Sequence, residues 1–128
     1  MTEQTRENVD VIGLARRSDD FRRVVITGEE MQIVVMTIQP GEEIGAETHA
    51  GHDQVLFFVD GEGEAVLDGE RSRVSAGDLS FVHAGVHHNF VNTGSSPLRI
   101  VTAYAPPEHE AGTVHADKAA ADAEDEEH

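Results

Sequence analysis

Turn residues recur through the middle of this chain with a rhythm that a sheet-rich fold accommodates and a helical one does not. Pro40-Gly41 is followed by Asp60-Gly61, Asp68-Gly69, Ala76-Gly77, Ala84-Gly85 and Thr93-Gly94. Their spacing, roughly eight to ten residues over much of this stretch, is that of strands in a sandwich or barrel. Between them lie MQIVVMTI, QVLFFV, EAVLDGERSRV, LSFV, HHNFVN and LRIVTAY, dominated by the period-two patterning of strands. Asp68-Gly69, between EAVL and ERSRV, is the clearest hairpin, because both central residues of a tight turn of this kind need positive φ. With so few helical patterns the chain is all-β, and its sheet must close on itself or pack on a second one.

At 128 residues the chain fits one domain and has no room for a separate substrate domain. It contains no cysteine, which excludes disulfides, thiolate nucleophiles and sulfur-rich metal sites. Acidic residues outnumber basic ones 25 to 9, for a formal charge of −16; a field of that sign repels nucleic acid and anionic membranes, and solubility is its plainest meaning. MTEQTRENVD carries no leader-like pattern and no run approaches membrane-spanning length, so the expectation is a cytoplasmic protein. Three segments are expected: a polar stretch over 1–20, a β-domain over 21–107 with an edge strand around Phe21 to Ile26, and an acidic, flexible tail over 108–128. In that tail, alanines favour helix but Glu124 to Glu127 oppose the helix dipole.

Two clusters carry the chemistry, GAETHAGHDQ and AGVHHNF. Imidazoles with carboxylate or amide oxygens are donors for a divalent metal of borderline hardness. Glu47 and His49 share a face if their segment is extended, a turn at Ala50-Gly51 brings Gln54 beside them, and His88 closes the set from another strand. His87 and His88 are neighbours, so a regular strand sends only one inward, and Phe90 and Asn92 share the face of His88. The plainer alternative is a pair of half-buried strand histidines with no metal. Tyr104 ends its strand and is a candidate proton donor at a pocket mouth, or simply a packed aromatic. His83 and His87 read as turn or outer-face residues, and His109, His115 and His128 lie beyond the barrel. Phe57, Phe58, Phe81 and Phe90 read as core or pocket wall. Gly61, Gly77 and Gly85 read as turn residues, since no phosphate-binding strand–loop–helix context surrounds them.

These residues resemble the cupin superfamily. Its first motif, Gly, five spacers, His-x-His, three or four spacers, Glu, six spacers, Gly, is matched in spacing by Gly41, Glu47-Thr48-His49, Gln54 and Gly61. Its second, Gly, five spacers, Pro-x-Gly, two spacers, His, three spacers, Asn, is matched by Gly77, His83-Ala84-Gly85, His88 and Asn92. The resemblance runs over roughly residues 30 to 105 and implies a double-stranded β-helix, or jelly-roll barrel, with the site inside it and a homodimer as the common assembly. Carried over position by position, the implied metal ligands are Glu47, His49, Gln54 and His88. Three departures stand out: Glu47 for the usual first His, Gln54 for the usual Glu, and His83 for the usual Pro. Ligand charge is conserved but moved to another corner. The set suits Fe, Mn, Ni, Co or Zn without choosing among them. The resemblance implies a mononuclear metalloenzyme acting on a small, oxygen-rich organic substrate by isomerase/lyase or dioxygenase chemistry, with Glu47 or Tyr104 moving a proton. Its rival is a non-catalytic small-molecule or metal-binding module. Similar chains are often labelled mannose-6-phosphate isomerase-like, a label resting on fold analogy; Arg71, Arg73 and Arg99 are scattered and make no evident phosphate cluster.

Overall fold

The computed structural model describes residues 8–126. Its strands are β1 (Arg22–Thr27), β2 (Gln32–Ile38), β3 (Glu47–Thr48), β4 (Asp53–Asp60), β5 (Glu62–Leu67), β6 (Glu70–Ser75), β7 (Leu79–Val82), β8 (His87–Val91), β9 (Leu98–Ala105) and β10 (Val114–His115), with helices α1 (Val11–Arg17) and α2 (Lys118–Glu126). Among the described residues the strands form two sheets, a six-stranded one in the order β10-β1-β2-β9-β4-β7 and a four-stranded one in the order β3-β8-β5-β6. The pairings are antiparallel. This is the double-stranded β-helix that the motifs imply.

Alternation along the strands builds the interior. In β9, Leu98, Ile100, Thr102 and Tyr104 point inward, and in β4, Gln54, Leu56 and Phe58 do the same. They meet Val34, Met36 and Ile38 from β2 and Phe90 from β8 in one apolar cluster. Phe58 and Phe90 lie 5.9 Å apart between ring centres, so the opposed sheets touch through aromatics at one end of the barrel. Polar side chains occupy the same inward positions toward the other end: Gln32, Gln54, His88 and Thr102 are all buried. β5 and β6 turn through Asp68 (φ 50°) and Gly69 (φ 86°), as the hairpin reading requires.

Strand β2 is buried on both faces because α1 covers its outer side, with Ala15, Val35 and Val59 forming a second apolar cluster. The helix starts at Asp10, whose carboxylate accepts from Gly13 N at 3.1 Å. It ends over Arg99, which donates to Ser18 O at 2.7 Å. Arg71 and Arg73 pair with Glu64 and Glu62 across β5 and β6. All three arginines that the sequence left scattered are therefore engaged away from the barrel interior.

Three features differ from expectation. Residues 11–17 are helical, and β1 lies one strand in from the edge because β10 pairs outside it. The segment after β9 folds back over the barrel, and α2 buries Ala121 in the main core; this burial outweighs the unfavourable terminal charge, which acts only locally. Phe81 is not in the core: it faces outward, 46% exposed, because β7 alternates and Val82 takes the inward position, although it does serve as pocket wall beside Gln54 and Val55.

Gly61 joins β4 to β5 with φ +94°, and a Cβ there would lie 2.6 Å from Pro97 O and 3.0 Å from Leu98 Cα. The obstacles are backbone atoms and cannot swing aside. Gly61→Ala is expected to cost about 3 kcal/mol of stability, read as a lowered urea midpoint with an unchanged slope. A loss below about 1 kcal/mol would show that the β4–β5 connection is not held against Pro97.

Candidate metal centre

Glu47 and His88 face each other across the β3–β8 pairing, and His49 follows Glu47 on the same face. One donor atom each from Glu47, His49 and His88 lies within 4.8 Å of the others. Glu47 Oε1 is 3.3 Å from His49 Nε2 and 3.9 Å from His88 Nε2. Donors bound at roughly 2.1 Å around a common ion lie roughly 3 to 4 Å from one another, so both separations suit shared coordination.

The unmet hydrogen-bonding capacity points to the same place. His49 Nε2, His88 Nε2 and Gln54 Oε1 are buried and have no hydrogen-bond partner, an expensive condition for polar atoms in a barrel interior. His88 and Gln54 are held that way from behind. His88 Nδ1 lies 2.9 Å from Val86 O and donates to it, leaving Nε2 with its lone pair free. Gln54 Nε2 donates to Thr102 Oγ1 at 3.0 Å, and that hydroxyl donates to Val55 O at 2.8 Å, which engages the amide nitrogen and leaves the oxygen as the unmet end of the side chain. His49 Nδ1 faces Glu108 Oε1 at 3.7 Å. Two imidazole nitrogens, a carboxylate and an amide oxygen are a donor set that a borderline divalent cation fits.

Charge is partitioned within the cluster. Burial, the largest influence on Glu47, would raise its pKa, but His49, Arg22 and His88 together hold it below the usual value. The neighbouring Glu47 carboxylate raises His49 against the opposing effect of burial. Tyr104 is pushed up, chiefly by burial, so its phenol stays protonated and can donate but not act as a base. Its ring meets His49 edge-on at 6.0 Å. Tyr104 is 2% exposed, packed in the barrel wall beside the cluster, and with Gln54, Val55 and Phe81 it lines a surface pocket. Glu47, His52 and Glu108 keep side chains that are about a quarter exposed.

Arg22 and Glu108 were not singled out by pattern reading, and His109 and His115, expected beyond the barrel, are instead returned to it by the segment after β9. Arg22 enters from β1, His109 and Glu108 from the segment after β9, and His115 from β10. Gln32, fully buried, fixes that segment: its amide donates to His109 O at 2.6 Å and accepts from His109 N at 3.0 Å. His109 is pushed down to about 4 by burial and then by Arg22, and so is neutral near pH 7. The available signals were the phase of FRRV, which places Arg22 in step with inward Val24, and the density of His and Glu in PPEHEAGTVH. His83 and His87 lie outside: His83 stacks on Phe81 at 4.7 Å and His87 meets Thr48 Oγ1 at 2.9 Å. Asn92 is spent on backbone, donating to Ile38 O and Ser96 O.

A jelly-roll of two antiparallel sheets, carrying a His and Glu cluster on two neighbouring strands of one of them, defines a class of small β-barrel proteins. The Cupin domain family model matches residues 34–104, and the chain belongs to that family. The crystal structure of BH2720 from Bacillus halodurans superposes with a TM-score of 0.90 at 36% identity, covering 91% of this chain and 93% of that one. Among curated proteins, the uncharacterized protein YrkC of Bacillus subtilis is 33% identical over 117 residues, which is 87% of this chain and 63% of YrkC. An oxalate-binding protein of Thermotoga maritima is 30% identical over 66 residues, 52% of this chain and 54% of that protein. The chain thus spans less than two thirds of the length of either curated relative. Arg22, Glu108, His109 and His115 fall outside the matched residues 34–104.

Proposed function

We propose that this chain binds one divalent transition metal through Glu47, His49, Gln54 and His88 and acts as a mononuclear metalloenzyme on a small, oxygen-rich organic substrate, by isomerase or lyase chemistry. One observation carries the reading: three buried donor atoms, His49 Nε2, His88 Nε2 and Gln54 Oε1, make no well-formed hydrogen bond, and the two imidazole nitrogens lie 3.3 and 3.9 Å from the Glu47 carboxylate. A bound metal would supply Lewis acidity toward a substrate oxygen. Around it, Tyr104 supplies a protonated phenol, and Glu47 a carboxylate held ionised by its neighbours. The identity of the metal among Fe, Mn, Ni, Co and Zn follows from availability as much as from these ligands.

Dioxygenase chemistry is the other branch of the same site, and a single assay separates the two. Metal-loaded and chelator-stripped protein are incubated with a panel of hydroxy acids, keto acids and uronates while product formation and oxygen uptake are followed. Metal-dependent turnover without oxygen uptake is the expected result. Stoichiometric oxygen uptake would move the assignment to a dioxygenase, and no metal-dependent turnover would favour a non-catalytic binding module. That second reading draws support from the similarity to the oxalate-binding protein of Thermotoga maritima, which is named for binding alone. Exposed Met31, Leu79 and Phe81 support a homodimer as part of the same proposal.

A further inference from the structure

Arg22 is the most anomalous charged residue of the barrel. It is 4% exposed, and among the described residues no ion pair joins it to a carboxylate. One nitrogen, Nη1, meets His115 Nδ1 at 3.1 Å, and the guanidinium sits 5.2 Å from the Phe21 ring centre. Its Nε is buried without any partner. Buried guanidinium groups are ordinarily matched by an anion, because removing such a charge from water is costly unless it is paired and hydrogen-bonded. A second donor or acceptor nearby is also unmet: His109 Nε2 is buried and unpartnered, and its ring meets Tyr104 at 5.3 Å. Tyr104 in turn faces His49 of the metal cluster. Arg22 thus belongs to a polar lining continuous with that cluster, and its charge is felt at Tyr104, His109, His49 and Glu47.

We infer that Arg22 anchors the carboxylate of a small organic acid, with His109 and Tyr104 beside it, so that the acid's remaining oxygen atoms face Glu47, His49, Gln54 and His88. This deepens the metalloenzyme reading by naming the substrate class, and it rests on that reading only for the second half of the contact. A guanidinium offers a planar fork of donors matched to a carboxylate. One buried positive charge suits a single ionised carboxylate, whereas the carboxylates of Glu47 and Glu108 oppose polyanions such as sugar bisphosphates.

The test uses L-lactate and its neutral analogue L-lactamide as probes, titrated calorimetrically into the full chain as wild type, Arg22→Met and Arg22→Lys. Each protein is prepared metal-stripped and zinc-loaded, and thermal denaturation is recorded without probe. Wild type is expected to prefer lactate over lactamide by about tenfold or more in both metal states, as a charge-assisted contact requires. Arg22→Met should lose that preference with zinc content unchanged and with the protein still folded, its melting temperature lowered only modestly, since the contacts of Arg22 to His115 and Tyr104 go with it. Arg22→Lys, which keeps the charge but not the fork, should bind lactate about fivefold more weakly. Equal lactate affinity in wild type and Arg22→Met, or no lactate preference in wild type, overturns the proposal. So does a collapse of Arg22→Met together with unchanged affinity in Arg22→Lys, which would make Arg22 a structural residue. Failure to bind zinc while Arg22-dependent lactate binding persists would sink the metal reading alone; zinc binding with lactate indifferent to Arg22 would sink this one alone.

Discussion

His88→Ala protein, purified without an affinity tag, is expected to retain less than about a tenth of the wild-type metal by elemental mass spectrometry, and the His49→Ala/His88→Ala double variant none above background. His88 is 2% exposed and its ring is fixed by the bond to Val86 O. Its Nε2 is therefore left to whatever is held beside Glu47 and His49. Removing it leaves Glu47, His49 and Gln54 to hold an ion at a site now open on one side, and metal affinity is steep in the number of preoriented ligands. The substitution also takes away a buried ring, so a stability loss of about 2 kcal/mol should accompany it, small enough to leave a folded protein whose circular dichroism matches wild type. Unchanged metal content in a folded His88→Ala protein would mean that the cluster is not a metal site, and the unpartnered nitrogens would need another explanation.

The architecture was largely legible because the signals that specify a barrel are local and repeated. Asp68-Gly69 adopts the pair of positive φ angles its sequence asks for, and β9 keeps its alternation from Leu98 to Tyr104. The paired spacings around Glu47, His49 and His88 likewise survive folding, since each motif occupies a turn and a short strand that leave little freedom of register. What stayed hidden depends on contacts distant in sequence. Arg22 reads as one of two adjacent surface arginines until β10 is known to cover β1. His109 and Glu108 read as parts of a polar tail until Gln32, some 76 residues away along the chain, is seen to fasten that segment to the barrel. Tyr104 was legible both as a neighbour of the site and as a packed aromatic; what buries it was not. Its exposure is set by the returning segment, which places His109 against its ring. The same long-range packing explains Ala121, a small residue whose burial no local propensity reports.

Glu47 and Gln54 permit a sharper test of how the ligand charge is placed. Relative to the commoner cupin pattern, the one carboxylate of this set has moved from the β4 position to the β3 position, where Arg22, His49 and His88 all act to keep it ionised. Gln54, by contrast, is held by the Thr102 hydroxyl and presents only an amide oxygen. Glu47→Gln removes the sole anionic donor while keeping its shape, and metal affinity measured by competition with a chromophoric chelator is expected to fall by about a hundredfold, or roughly 2.7 kcal/mol. Gln54→Glu should raise affinity by about tenfold, since it adds a second carboxylate against the desolvation that burial imposes. The double variant Glu47→Gln/Gln54→Glu restores the charge count in the other corner and should return to within about tenfold of wild type. If Glu47→Gln instead keeps its metal and loses only turnover, Glu47 is the proton-transfer group and not a ligand. If the double variant recovers metal but not turnover, the protein depends on where the charge sits rather than on how much there is, and the displacement of that carboxylate to β3 is what distinguishes its chemistry.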